Sequence, residues 1–168
     1  MKIVVVGASG TIGRAVVEEL GSRHEIVKVG HQSGDVTVDI RSEESIQKMF
    51  HAIGNVDAVV STTGSGHFGP LETLTEKEFA IGIESKLMGQ INLVLIGRDF
   101  MNDGGSFTMT SGVLTHDPIY CGAAVTTVNA GLEGFVLGAS IELPRGIRIN
   151  AVSPEVVEES MDKIGSFF

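Results

Sequence analysis

Five residues that can form a buried strand, Lys2 to Val6, run into Gly7-Ala8-Ser9-Gly10-Thr11-Ile12-Gly13. Ile12, Ala15, Val16 and Leu20 then recur at helical spacing, with Arg14, Glu18 and Glu19 on the other face, until Gly21 stops the helix. Glu25 to Val29 reads as a second strand, Gly30 to Gly34 as a loop, and Asp35 to Ile40 as a short third strand. Ser42 can cap a helix with Glu43 and Glu44 in its first turn and Ile46, Met49, Phe50 and Ile53 as its apolar stripe. Gly54-Asn55 ends that helix, and Val56 to Ser61 makes a fourth strand.

Thr62 to Pro70 is too rich in glycine for a regular element. Thr75-Glu76-Lys77-Glu78 is a capping box that opens a long helix to about Gly97, apolar on more than one face. Ser106 to Thr110 reads as a strand, Ser111 to about Tyr120 as a loop, and Ala123 to Leu143 as a second long helix. Pro144-Arg145-Gly146 breaks it, Ile147 to Val152 forms another strand, and Glu155 to Phe168 can form one helix.

Alternating strands and helices predict a single α/β domain over 1–168, a Rossmann-like, doubly wound parallel sheet in a three-layer α/β/α arrangement. Right-handed crossovers place the ligand crevice outside the carboxyl ends of the strands, so the loops after Val6, Val29, Val60, Thr110 and Val152 face it. The glycines of the first loop allow a tight turn and a close approach to a pyrophosphate at a helix N-terminus.

Composition narrows the partners. The formal net charge of −9 argues against nucleic acid or an anionic membrane. The apolar run Leu87 to Ile96 is too short to span a bilayer. The single cysteine, Cys121, excludes an internal disulfide framework and fits a reducing compartment. Met1-Lys2 leads straight into a strand with no signal peptide, so a cytoplasmic protein is expected. No metal site is expected.

The whole chain resembles the short-chain dehydrogenase/reductase family. Its glycine turn is similar to the family's cofactor turn, although the spacing is G-x-x-G-x-x-G. Val38-Asp39-Ile40 resembles the family's aspartate that reaches the adenine ring, and Ser61-Thr62-Thr63-Gly64 stands where Asn-Asn-Ala-Gly is usual. The closest match runs from Gly131-Leu132-Glu133-Gly134 through Arg145-Gly146-Ile147-Arg148-Ile149-Asn150-Ala151-Val152-Ser153-Pro154. The resemblance implies a nicotinamide cofactor held by Gly7, Ser9, Gly10, Thr11, Ile12, Gly13, His31, Ser33, Asp39, Ile40, Thr62, Gly64 and Pro154. Only 14 residues follow Pro154, so a short or missing substrate lid is expected.

The family's acid/base set is not kept. Its tyrosine falls at Val125, its lysine at Asn129, its serine at Gly112 and its helix asparagine at Lys86. Valine transfers no proton and asparagine carries no charge, so the usual mechanism is unavailable. Ser111, Tyr120 and His116 are the substitute candidates, with His67, Asp117 and Lys86 as further members of an alternative set. No Asp or Glu follows the second strand, where Gly30, His31, Gln32 and Ser33 stand. That favours NADP(H) over NAD(H).

The expected function is therefore an NADP(H)-dependent oxidoreductase acting on a small carbonyl or alcohol through unorthodox groups. The alternative is an inactive dinucleotide-binding sensor or scaffold; an interaction protein using only the fold is a third. Apolar faces on both long helices, with Ala130, Gly131, Gly134 and Gly138 permitting close approach, predict a homodimer or homotetramer.

Overall fold

The computed structural model describes residues 1–160. Six parallel strands form one sheet: β1 (Lys2–Val6), β2 (Glu25–Gly30), β3 (Val36–Thr37), β4 (Val56–Ser61), β5 (Met101–Thr110) and β6 (Arg148–Val152). Their order is β3-β2-β1-β4-β5-β6, which reverses direction between β1 and β4. That reversal opens a crevice at the carboxyl ends of the two central strands, as expected of a doubly wound sheet.

Helices cover both faces. On one side α2 (Glu43–Ile53), α4 (Gly89–Gly97) and α5 (Ala123–Glu142) bury Phe50, Leu93 and Leu132 against Val4, Val59 and Phe107. On the other, α1 (Thr11–Gly21) packs Val16, Val17 and Leu20 on Ile3, Val5 and Ala58. β1 is buried on both faces, which is why it reads as an unbroken apolar run. At the edge, β6 exposes Arg148, Asn150 and Val152 and buries Ile149.

The long helix predicted from Thr75 is interrupted. The capping box forms as expected at the start of α3 (Glu76–Gly82), with the Glu78 backbone N–H donating to Thr75 Oγ1 and Thr75 N–H to Glu78 Oε2. Ile83–Met88 is then a π-helical turn before α4 begins. Such turns within α-helices are frequent at functional sites.

Three boundaries differ from expectation. Only Val36–Thr37 pairs as β3, because Asp39 already belongs to the cap of α2: its N–H donates to Ser45 Oγ and its carbonyl accepts from Ser42 N–H. β5 starts at Met101 rather than Ser106, through a bulge in which Val56 pairs Met101 and Ala58 pairs Ser106. No helix opens at Glu155; the chain has a 3₁₀ turn at Glu158–Ser160, and the rest of the predicted tail helix lies outside the described residues.

By length and mean hydropathy alone, Glu76–Gly97 and Ala123–Glu142 could each cross a bilayer, so the shorter run Leu87 to Ile96 understated the first. Here both lie along the sheet, where Val94 and Val136 join the core.

Candidate active site

The turn after β1 is held on both sides. Gly7 and Ala8 donate their N–H groups to the Val29 carbonyl at 2.8 and 3.1 Å, and Gly10 N–H closes back onto Gly7 at 2.9 Å. Gly7 has φ +88°, and a Cβ there would lie 2.8 Å from Thr62 Oγ1 and its carbonyl oxygen. A Cβ at Gly13 would sit 2.1 Å from the Gly7 carbonyl oxygen. Close packing therefore requires both glycines. No side chain caps α1 and no acid stands in its first turn, so its first N–H groups remain for an anionic ligand.

Above this turn lies a cavity of about 580 Å³ lined by Gly7, Ser9, Gly10, His31, Asp39 and Ile40. Arg41 also lines it, paired with Asp39 through Nε–Oδ1 at 3.0 Å and Nη2–Oδ2 at 2.9 Å. The hydrogen bond from the Arg41 side chain, seconded by its backbone N–H, holds the Asp39 carboxyl down at about 2. Thr62, Thr63 and Gly64 form the boundary with a second cavity of about 280 Å³, to which Ile12 and Pro154 contribute. Thr11 opens α1 at the surface, and Gly13 is buried beneath the turn.

Ser33 does not join the other expected cofactor residues. It lines a separate hollow with Arg14 and Lys28, because its carbonyl backs Gly30 at 2.5 Å from where a Cβ would be. That same contact explains the glycine at 30: a carboxylate side chain has no room there.

The second cavity contains most of the positions where the chain departs from the resembled pattern. Lys86 lies on the π-helical turn and donates from Nζ to the Ser111 carbonyl at 2.9 Å. One turn on, buried Gln90 grips the end of β5, accepting from Thr110 N–H and donating to its carbonyl, each at 3.0 Å. Asn129 on α5 donates to the Gly112 carbonyl at 3.3 Å, while its Oδ1 is buried without a partner. A Cβ at Gly112 would stand 2.8 Å from Asn129 Nδ2, and one at Gly66 2.9 Å from Val125 Cγ2. The replacements fit one another: asparagine fills the space a serine at 112 would need, and valine meets a glycine.

Of the expected catalytic residues, Ser111 lines this cavity and is 2% exposed. Its hydroxyl is directed to α5, donating to Glu133 Oε1 at 2.7 Å. Tyr120 is 81% exposed and faces a different hollow beside Leu71 and Pro118, so it is not brought to the crevice. His116 lies at the surface, with Nε2 3.4 Å from Glu133 Oε2. His67 turns back toward Glu78, at 3.6 Å, and Asp117 is exposed. Ser111 and His116 thus meet on the two oxygens of Glu133, whereas Tyr120 is separated from them, on a loop that runs on after the 3₁₀ turn Val113–Thr115.

Burial raises the Lys86 concern instead. Desolvation pushes its ammonium down from 10.5 to about 8. At Glu133, burial works upward, but hydrogen bonds from Ser111 and Ser153 and the charge of His116 outweigh it and hold the carboxyl below its usual range. Sequence reasoning missed Gln90 and Glu133. A glutamine within an apolar helix was the available signal for the first; nothing in the spacing of Ser111 and Glu133 revealed the second.

Residues 2–167 match the family model described as enoyl-(acyl carrier protein) reductase. The chain belongs to the short-chain dehydrogenase/reductase family. A crystal structure of the protein lin1944 from Listeria innocua is 54% identical, covering all of this chain and 84% of that one, with a TM-score of 0.98. A small-chain dehydrogenase solved in complex with NADPH is 26% identical over 97% of this chain and 74% of its own, with a TM-score of 0.89. Among curated proteins, the hydroxynaphthalene reductase-like protein Arp2 of Metarhizium brunneum is 24% identical over 94% of this chain and 68% of its own length. These relatives place the chain among the oxidoreductases of the family, with a Rossmann-like domain as expected.

Proposed function

We propose that this chain is an NADP(H)-dependent reductase of a small carbonyl compound. One observation carries the reading: two cavities meet at Thr62–Gly64, one over the glycine turn and one lined by Lys86, Ser111 and Asn129. The residues fit a dinucleotide. The glycine turn and uncapped α1 suit the pyrophosphate, Asp39 and Ile40 the adenine end, and the boundary at Thr62–Gly64 leads the nicotinamide toward the second cavity. The cofactor supplies the hydride; the protein orients the acceptor, excludes water and handles a proton.

The preference for NADP(H) rests on His31 and Arg41 lining the first cavity where no side chain can stand at Gly30. A 2′-phosphate gains from the Arg41 cation and from a ring N–H of His31, whereas no carboxylate stands at the end of β2, where one favours NAD. The NADPH complex of a structural relative adds support. The second cavity is small and lined largely by apolar residues such as Phe68, Leu114 and Val125, which suits a compact substrate. A cytoplasmic homodimer or homotetramer completes the proposal.

Val125 at the tyrosine position favours the second reading, a dinucleotide-binding sensor without turnover. The deciding experiment combines NADPH binding with NADPH consumption across a panel of aldehydes, ketones and enoyl thioesters. Consumption with any of them supports the reductase. Tight binding with no consumption selects the sensor.

A further inference from the structure

Carbonyl reduction needs a proton for the oxygen as hydride reaches the carbon, and few groups in the second cavity can give one. Among the described residues lining it, only Lys86 and Glu155 titrate; tyrosine, histidine and cysteine do not line it. Glu155 is exposed, and its carboxylate would repel an oxygen gaining negative charge. Three neighbouring hydroxyls are committed, and Thr63, which also lines the cavity, carries an alcohol far too weakly acidic to stand in for an ammonium. Ser111 donates to Glu133, Thr110 Oγ1 donates to the Ser61 carbonyl at 2.7 Å, and Thr62 Oγ1 is turned to the Val6 and Gly7 carbonyls.

Lys86 is different. Its ammonium has three donors, and the hydrogen bond to the Ser111 carbonyl uses one of them. No carboxylate forms an ion pair with it among the described residues, although Glu84 on its own turn, Glu155 after β6 and Glu133 behind Ser111 are its acidic neighbours. Gln90 clamps the turn that carries it to Thr110, and Gly64 brings the crossing loop onto its backbone, where a Cβ would lie 2.7 Å from Lys86 Cα. The side chain is therefore positioned from two sides. Asn129 lines the same cavity, but its unpartnered Oδ1 is buried and can only accept, so it offers a carbonyl oxygen no proton.

We propose that Lys86 is the proton donor of this reductase. The proposal rests on the reductase reading above. As hydride passes from the reduced nicotinamide to the carbonyl carbon, the C=O π bond breaks and its oxygen takes a proton from the Lys86 ammonium. An alcohol, the oxidised cofactor and a neutral amine result; the amine regains its proton from water. Desolvation keeps the amine and ammonium forms within reach of each other near neutral pH, which suits a group that works in both.

The test has two arms on the intact chain. In the first, amine-directed acylation is followed by mass spectrometry across pH, with and without NADPH. Lys86 is expected to titrate near 8, well below the surface lysines, and to be protected by NADPH. Titration together with the surface lysines overturns the proposal whether or not a substrate is known. In the second, Lys86→Met is expected to keep NADPH affinity and thermal stability while turnover falls about 10²–10⁴-fold. Lys86→Arg, which keeps the charge but cannot titrate in this range, should stay equally slow. Unchanged turnover in Lys86→Met, with NADPH bound, overturns this proposal alone; failure of the wild-type chain to bind NADPH overturns the reductase reading and this one with it.

Discussion

The Ser111 hydroxyl donates to Glu133 Oε1 at 2.7 Å, tying the end of β5 to the middle of α5. Ser153, just beyond β6, donates to the same oxygen at 2.8 Å, so one carboxylate gathers the ends of two strands onto a helix. Ser111 thus presents lone pairs, not a proton, to the second cavity. Ser111→Ala should lower unfolding free energy by about 1.5–3 kcal/mol, the range for hydrogen bonds to charged groups. The pH dependence follows from the lowered Glu133 carboxyl, whose ordinary value is 4.5. Its stabilisation is complete above that value and is lost as pH falls through the lower folded value. Urea titrations from neutral to acid pH should show a steeper acid loss in wild type than in Ser111→Ala or Glu133→Gln.

Gly13 tests the turn. A methyl group there would lie 2.1 Å from the Gly7 carbonyl oxygen, against backbone that cannot simply rotate away. Gly13→Ala should cost about 1–3 kcal/mol in thermal or chemical unfolding, the usual penalty for overpacking. NADPH affinity should fall with it, by about tenfold for each 1.4 kcal/mol of turn distortion. Gly21→Ala is the control, since a Cβ at that position meets nothing within 4 Å and lies away from the proposed assembly surface.

Tyr120 should be dispensable for chemistry. It is 81% exposed and lies outside both cavities of the crevice. Tyr120→Phe should change turnover by no more than about twofold, as expected of a surface substitution remote from the site. Steady-state rates on any substrate found by the panel would check this.

Most of the architecture was legible in the chain. The unbroken apolar run Ile3–Val6 announces a central strand, and the Thr75–Glu78 box marks a helix start that forms with both of its bonds. Local signals of this kind are set by neighbours in sequence. The π-helical turn was not legible, because its cause is tertiary: Gln90 holds Thr110 while Gly64 presses on Lys86. The catalytic candidates suffered from the same blindness. Proximity to a strand end puts Ser111, His116 and Tyr120 in one group; Glu133 does join the first two, but the course of the loop takes Tyr120 out to the surface. In the sequence Lys86 is one of several alternatives, and what distinguishes it, a place on the cavity wall and desolvation there, is reported by no spacing.

The helix surfaces bear on assembly. Ile81, Met88 and Leu95, each seven residues apart, remain exposed along Glu76–Gly97, and α5 exposes Leu137 and Ile141. Gly134 and Gly138 leave open space beside the latter pair, allowing a second helix to approach closely. Leu137→Glu with Ile141→Glu should convert a dimer or tetramer to monomer in sedimentation velocity at micromolar concentration. A wild-type chain that sediments as a monomer would contradict the assembly.

The most direct test of the central claim is a fluorescence titration of the chain with NADPH and, separately, with NADH. Saturable binding of both is predicted, with NADPH tighter by about 1.4 kcal/mol, or tenfold. His31→Asp, which brings a carboxylate to the rim of the first cavity, should weaken NADPH selectively. Flat titrations with both cofactors, or tighter binding of NADH by the wild-type chain, would contradict the account.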